Sequence, residues 1–594
     1  MKPAAFYNKE LTENAAGLKS VLRKLTINST YRLVSFLAIL GFIFGLTPIH
    51  AALGISTAIL SAIFFGFFIK RHIKLTWRKN YLKTRSRLLE QELDATNHIF
   101  KPFNGGLIYQ NAHHHYSNDL DLFGEGSLFQ MINRTVTQSG EQLLAEQVTH
   151  EQLNKEKILN TQEAVRELSQ LPDFLLHFRT IGSMDEMVEE DKKQLLQWTQ
   201  QHSYIKRFPL LNYLRYILPP ICLTSMVLVF WGFESSIFIT LFIINLLIIG
   251  KFFKKSGEEH SEVTSFLKVL KKYQNLIELF QERPFKSKIL ISETKNLKEK
   301  ANGAADALKQ LTKTVDAFDS RMNLVAAIFL QGLLLWDFHC LFKIQKWKKT
   351  YGHQVINWIE NIGALDALVS KGNFAFNNPG YIYPIPTEET VIDAIETGHP
   401  FIPAQVNVTN NFSIKKQGVF YIITGANMAG KSTFLRTIGA NLILAMAGMP
   451  VMAEKFSFKP RKIFTSMRTS DNLNENESYF YAELRRLKEL IDLLKNGEDI
   501  FIMLDEILKG TNSLDKQKGS QLALEKILQL KGTGIIATHD LALTEMEVKH
   551  PVEVKNKCFE IEIEKAEILF DYKLYDGVTK NMNAMLLMEQ MGIV

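Results

Sequence analysis

Gly425-Ala-Asn427-Met-Ala-Gly430-Lys431-Ser432-Thr433 carries residue types at a spacing suited to holding phosphate. In the pattern G-x-x-x-x-G-K-S, successive backbone N–H groups turn inward on phosphate oxygens, and a following helix N-terminus adds partial positive charge beneath them. Lys431 is expected to reach the β- and γ-phosphates of a nucleotide, and the Ser432 hydroxyl to complete part of an Mg²⁺ shell. Downstream, the apolar run Ile500–Leu504 ends in Asp505-Glu506. Asp505 suits the cation, and Glu506 suits activation of the water that attacks a γ-phosphate; capping of an exposed strand end is the plainer alternative for both. A third pattern, Gly534–Asp540, ends with His539 placed to sense or hydrogen-bond the γ-phosphate, or to serve as a structural strand-end histidine.

These side chains need a common scaffold. Val419–Ile423 reads as a strand and Phe434–Ile438 as a helix, so strand, glycine-rich loop and helix arrive in the required order. Ile500–Leu504 has the unbroken apolarity of a parallel strand buried on both faces, and ligands collect at the C-terminal edge of such sheets. The expected scaffold is an α/β sheet covered by helices, spanning 364–594. Between the two motifs, Ala482–Ile491 is an amphipathic helix. Ser478, near its start, can cap that helix or offer a hydroxyl to phosphate.

The rest of the 594-residue chain is different in kind. A length-based prior allows about four domains. No charge occurs between Arg32 and Lys70, enough for two bilayer crossings (Leu33–Leu46 and Ala51–Ile69) around a turn at Thr47–His50. A second apolar pair, Ile217–Trp231 and Ser236–Ile249, is interrupted only by Glu234 at its turn. Lys and Arg flank the open ends of both pairs, which orients those ends toward the cytoplasm, and lipid is the implied partner. Met322–Trp336 is shorter and contains Gln331, so it is expected to be a buried helix. The segmentation is then 1–73 with the first transmembrane hairpin, 74–216 helical and membrane-proximal, 217–250 the second hairpin, 251–363 a helical arm, and 364–594 catalytic. Long helices are expected over Lys74–Thr96, Thr149–Gln170, Glu189–Ser203 and much of Glu262–Phe318. Three dispersed cysteines, Cys222, Cys340 and Cys558, point to reduced core thiols. The net charge of +7 is compatible with nucleic acid or an anionic membrane without selecting either. His113-His114-His115 lacks metal-ligand spacing and reads as a polar turn.

On these motifs the chain resembles the ATPase of the MutS mismatch-repair family, itself related to ABC-type ATPases. The resemblance rests on TGANMAGKST at Thr424–Thr433, DEILKGTNSLD at Asp505–Asp515 and ATHD at Ala537–Asp540. ALDALVS at Ala364–Ser370, GHP at Gly398–Pro400 and ESYFYAEL at Glu477–Leu484 support it, with a weaker echo in NRTVTQSGEQLL at Asn133–Leu144. It implies an α/β P-loop NTPase domain of ABC/MutS type, joined here to a mostly helical core bearing the two hairpins. It also implies Mg²⁺-dependent hydrolysis of ATP, with Lys431, Ser432 and Thr433 on phosphates and metal, and Asn407 and Val408 beside the adenine. Ser478 resembles the signature serine that reaches the opposite subunit's γ-phosphate, and Asp515 the aspartate of the loop crossing between subunits. A homodimer with two composite ATP sites follows, its cycle moving the helical arms. The amino-terminal mismatch-reading domain, with its Phe-x-Glu, has no counterpart in an equivalent context. The second hairpin stands where the family would place its DNA clamp, and the usual extra C-terminal dimerising segment and nuclease domain are not expected.

The resulting expectation is a multi-pass membrane protein with a cytoplasmic ATPase, its dimer switch acting on DNA in repair or recombination. The competing expectation is ATP-driven membrane assembly or remodelling without DNA. A transporter fits less well, since the apolar pairs hold no ionisable residue resembling a substrate site.

Overall fold

The computed structural model describes residues 2–184, 192–201, 203–298, 303–468, 479–509, 512–564 and 567–580. Two compact units emerge, one comprising Met1–Arg134, Gln142–Leu176 and Leu368–Val594, the other Thr135–Glu141 and His177–Ala367.

The first unit begins with a long antiparallel hairpin, α1 (Pro3–Gly41) and α2 (Ala51–Thr96), joined through a π-helical turn at Phe42–Leu46. The helices are far longer than their charge-free segments. Charge does not end a helix; the lack of an internal Pro or terminating Gly lets both run on into polar sequence. Lys74–Thr96 is therefore the second half of α2. Polar contacts fix the stalk: Asn14 Nδ2 donates to Leu82 O at 2.8 Å and to Ser86 Oγ at 2.7 Å, and Arg85 pairs with Glu10. Nearer the tip, Leu33, Val34, Leu37, Ile59 and Ile63 are all more than half exposed.

The second unit is helical. Its main described elements are α3 (Pro209–Phe230), α4 (Ser236–Gln281), α5 (Gly303–Phe318), α6 (Leu324–Leu334) and α7 (Trp336–Tyr351). Leu270, Tyr273, Phe280, Leu311, Val315 and Phe318 form its buried heart. In the first unit the expected helix over Thr149–Gln170 forms from Lys155 to Ser169, starting after a non-helical stretch at His150–Asn154, and in the second the stretch from Glu262 is interrupted between α4 and α5. Of Glu189–Ser203, Lys192–Gln200 is a helix and residues 189–191 fall outside the described set. The helix at Met322–Trp336 departs from expectation. It is not buried: Leu324 is 75% and Val325 64% exposed. By length and composition, four helices among the described residues could cross a membrane: Pro3–Leu46, Ala51–Thr96, Pro209–Val229 and Ser236–Gln281.

The last helix before the sheets is α8 (Val355–Asn377). Two of the weaker motifs meet along it. In the second unit the Asp366 carboxylate accepts from the N–H groups of Val136 and Thr137, and in the first the N–H of Arg134 donates to Ser370 Oγ at 2.7 Å.

Among the described residues ten strands follow: β1 (Ile385–Pro386), β2 (Ile392–Thr397), β3 (Asn410–Ile414), β4 (Phe420–Gly425), β5 (Lys455–Phe458), β6 (Lys462–Ser466), β7 (Ile500–Asp505), β8 (Thr533–Ala537), β9 (Val554–Glu564) and β10 (Glu567–Asp576). The larger sheet has the order β10-β9-β4-β8-β7-β6, parallel except for β10, and the smaller has the order β1-β5-β2-β3. Between these strands lie α9 (Lys431–Met446), α10 (Tyr479–Lys495) and α11 (Ser513–Gln529). Leu487, Leu490, Leu524 and Ile527 pack on Ile422, Ile502, Leu504 and Ile536 of the large sheet. The protein is thus mostly helical, with mixed sheets confined to its C-terminal part. All three cysteines are buried and free, and among the described residues no cluster has the makings of a metal site of His, Cys, Asp and Glu.

Candidate active site

Three neighbouring parallel strands set the site. β4 delivers the glycine-rich loop, β7 delivers Asp505 and Glu506, and β8 delivers His539, all at the C-terminal edge. Gly425 passes so close to β9 that a Cβ there would lie 2.8 Å from Phe559 O, and Gly430 takes φ +108°, which disfavours any side chain. The loop then opens α9 at Lys431.

Lys431 is buried, its Nζ donating to Gly425 O at 2.8 Å and Ala426 O at 2.9 Å, with His539 Nε2 3.3 Å away. Burial pushes its ammonium down to about 8, against the opposing pull of Asp505 and Glu506. Burial, and then Lys431, also lowers His539, which favours a neutral imidazole. Ser432 Oγ donates to Asp505 Oδ2 at 2.5 Å, bringing together a hydroxyl and a carboxylate, the oxygen donors a hard divalent cation uses. Glu506 is held in the left-handed region at φ +51° by its N–H bond to Ala537 O. Its carboxylate lies 3.7 Å from His539 Nε2, 3.9 Å from Lys509 Nζ and 4.0 Å from Lys516 Nζ.

These groups form one end of a cleft of about 610 Å³. Asn427, Gly430, Lys431, Ser432, Thr433, Asp505, Glu506 and His539 line it, as do Asn407 and Val408 from the loop after β2. Asn407 is occupied with its own loop: Nδ2 donates to His399 O at 2.7 Å and Ile402 O at 3.1 Å, and Oδ1 accepts from His399 N. It shapes the wall, leaving Val408, Val406 and Ile402 to offer apolar surface. Asp515 is exposed and outside the cleft lining, bonded to its helix cap Asn512. Ser478 lies outside the described residues. His114 is structural, its ring contacting Thr149 O and accepting from the N–H groups of Tyr116 and Ser117.

Sequence reasoning missed several wall residues. Tyr572 comes from β10 and Phe559 from β9, strands carrying no motif; Lys509 flanks Glu506 without standing out from other lysines. His399 sits inside the GHP triplet, and its ring is buried against the cleft. Burial, with a smaller contribution from Arg436 and against Asp121, holds its imidazole down to about 4. The unfolded chain then binds the proton more readily than the fold between about pH 6.5 and pH 4. Stability therefore falls as pH drops through that window, by on the order of 3 kcal/mol at the bottom. Urea unfolding at pH 7.5 and 4.5 should show a smaller acid loss in His399→Asn than in wild type; equal losses would remove this role.

An ammonium inside a glycine loop, a hydroxyl–carboxylate pair and a further carboxylate are groups that nucleotide-hydrolysing sites use. Comparison with known proteins places the region. Residues 421–593 match the model of MutS domain V, so this domain is present in the chain. Human MutS protein homolog 4 is 34% identical over 257 residues, covering 41% of this chain and 25% of that protein. The DNA mismatch repair protein MutS of Thermotoga petrophila is 33% identical over 183 residues, covering 30% and 23% respectively. That of Desulfatibacillum aliphaticivorans is 33% identical over 227 residues, covering 37% and 25%. The chain spans about a quarter of the length of these curated relatives.

Proposed function

We propose that this chain is a membrane-anchored, MutS-like ATPase that works as a homodimeric switch. The observation that carries the reading is the convergence of Lys431, the Ser432–Asp505 pair and Glu506–His539 at one end of a single cleft. Mg²⁺-bound ATP would supply the phosphoanhydride to be split and a cation neutralising its β- and γ-oxygens. Ser432 and Asp505 are the residues to hold that cation. Lys431 would exchange its two backbone carbonyls for phosphate oxygen, and the loop N–H groups from Asn427 to Thr433 would cradle the rest. Glu506 takes the proton of the attacking water on its carboxylate, and His539 Nε2 fixes that carboxylate and the γ-phosphate side of the site. Val408 and Asn407 border the base. The exposed position of Asp515, away from its own cleft, suits a role across a two-fold interface together with Ser478.

The names of the bacterial relatives concern DNA mismatch repair, and DNA in repair or recombination is the partner this reading adopts. Four helices among the described residues, long and apolar enough to cross a bilayer, favour a second reading, ATP-driven membrane assembly or remodelling without DNA. Purified full-length protein tests both. It should partition with membranes and turn over ATP, and removal of 33–69 together with 217–250 should release it; soluble behaviour of the intact chain would overturn the anchor. Salt-dependent binding to duplex and branched DNA is expected on the first reading. Binding to anionic vesicles with no DNA binding at moderate salt would select the second.

A further inference from the structure

The segment between Arg321 and Asp337 carries no charge, and its helix α6 has the sequence LVAAIFLQGLL. An apolar helix in a water-soluble unit turns its side chains inward. Here Met322, Leu324, Val325 and Phe329 are more than half exposed, and Ile328 is exposed beside them. The other face is packed too closely to turn over. A Cβ on Gly332 would lie 2.2 Å from the Phe242 ring, and Gly332 O accepts from Asn245 Nδ2 at 2.7 Å. Phe329 and Phe242 face each other with ring centroids 6.5 Å apart. Both contacts fall inside the charge-free part of α4, with Asn245 about 9 Å and Phe242 about 14 Å along the helix from the charged boundary at Lys251.

The helix does not continue across. Its 11 residues rise about 16 Å, half of a hydrocarbon core of about 30 Å. At Leu335 the backbone turns left-handed with φ +49°, and α6 and the following helical segment are bent by 80°. The return lands where the segment began. Asp337 Oδ2 lies 3.3 Å from Arg321 Nη1 and accepts from Ser256 Oγ at 2.7 Å, Gln331 Nε2 donates to Asp337 Oδ1, and Arg321 Nη1 donates to Ser256 Oγ. Entry and exit are thus tied to each other and to α4 on the charged side of Lys251, by groups that are all buried. The break leaves no orphaned group at Gly332 or Leu335: Gly332 O is met by Asn245, and Leu335 N donates to Gln331 O. Non-helical backbone at membrane depth is tolerated only when it is satisfied within protein in this way.

We infer that α6 is a re-entrant half-helix, embedded in the acyl chains of the leaflet bordering Lys251. Its exposed apolar residues continue, through Phe329 and Phe242, the lipid-facing surface of α4 at Ile239, Ile243 and Leu247. The occupant of this face is lipid hydrocarbon, because the polar groups of the segment are gathered at its base, where Asn323 caps the helix, and the outward residues Leu324, Val325, Ile328 and Phe329 carry no hydrogen-bonding side chain for a protein partner. The inference rests on the reading of α3 and α4 as membrane-crossing. It gives the second hairpin a wedge that loads one leaflet and not the other, a coupling to leaflet area that a plain hairpin lacks.

The test uses full-length protein in vesicles of neutral and anionic phospholipid, with the three buried native cysteines replaced by alanine and single spin labels at Val325→Cys or Ile328→Cys. Leu247→Cys on α4 is the membrane reference, and the exposed Val548→Cys the aqueous one. Leu324→Cys serves if either label disturbs folding, judged by retained ATP turnover. Positions 325 and 328 should lose collisions with a water-soluble nickel complex and gain them with oxygen, as position 247 does. Nickel access at 325 and 328 with lipid exposure at 247 would overturn the half-helix alone. Shielding from both reagents would mean a protein occupant, such as a second copy, and would overturn it too. Nickel access at 247 as well would remove the membrane reading on which it stands.

Discussion

Glu506→Gln is expected to lower ATP turnover by about 10²-fold or more while nucleotide binding stays near the wild-type level. The substitution keeps size and hydrogen-bonding reach and removes only the base. Gln enters the left-handed conformation at φ +51° about as readily as Glu, so the N–H bond to Ala537 O that sets the side chain's direction survives. Lys431, Ser432 and Asp505 hold their own contacts independently of Glu506, which is why affinity should persist. The variant should therefore accumulate bound ATP, read by filter retention of radiolabelled nucleotide beside phosphate release in single turnover. If both proteins turn over equally slowly, Glu506 is not the base, and the pair Glu506–His539 must be read as structural. If affinity collapses with rate, the carboxylate is holding the loop and the assignment fails differently.

The gathering of the motif residues in one cleft is legible in the sequence because local order carries it. A strand, a glycine loop and a helix are contiguous at Phe420–Met446, and adjacency of β4, β8 and β7 brings Asp505, Glu506 and His539 to it. What local order could not show was the far wall. His399 and Tyr572 reach the cleft from loops and strands whose positions depend on tertiary pairing, and Asn407 spends its side chain on its own loop, which no periodicity records. The helical part shows the same division. Apolar runs locate the two hairpins in sequence, yet helix ends are set by caps and breakers, so α1 begins well before the charge-free run and α2 ends well after it. For α6 the error was one of environment. Shortness argued against a crossing and so toward burial, but a helix that is too short to span and still apolar outside has a third option, entering and returning.

Arg134→Met is expected to destabilise the first unit by about 3–5 kcal/mol, because it strands a buried charge. Arg134 Nε and Glu92 Oε1 are 2.7 Å apart, and both side chains are almost wholly enclosed. The guanidinium also lies over the Phe103 ring and donates to Asn133 O at 2.8 Å, while Asn377 Nδ2 donates to Glu92 Oε2 at 2.6 Å. One ion pair therefore fastens α2, the segment after it and the end of α8. Removing the cation leaves Glu92 with Asn377 as its remaining polar neighbour among these, and thermal unfolding in detergent should shift downward by on the order of 10 °C. The penalty belongs to a buried carboxylate losing its cation and not to the loss of one bond. Arg134→Met combined with Glu92→Leu should then recover most of the stability, since two apolar groups of similar volume need no partner. A double variant as unstable as the single one would show that packing around Phe103, and not charge, fastens the stalk. A single variant melting with the wild type would show that the α2 stalk is held by its contacts with α1 alone.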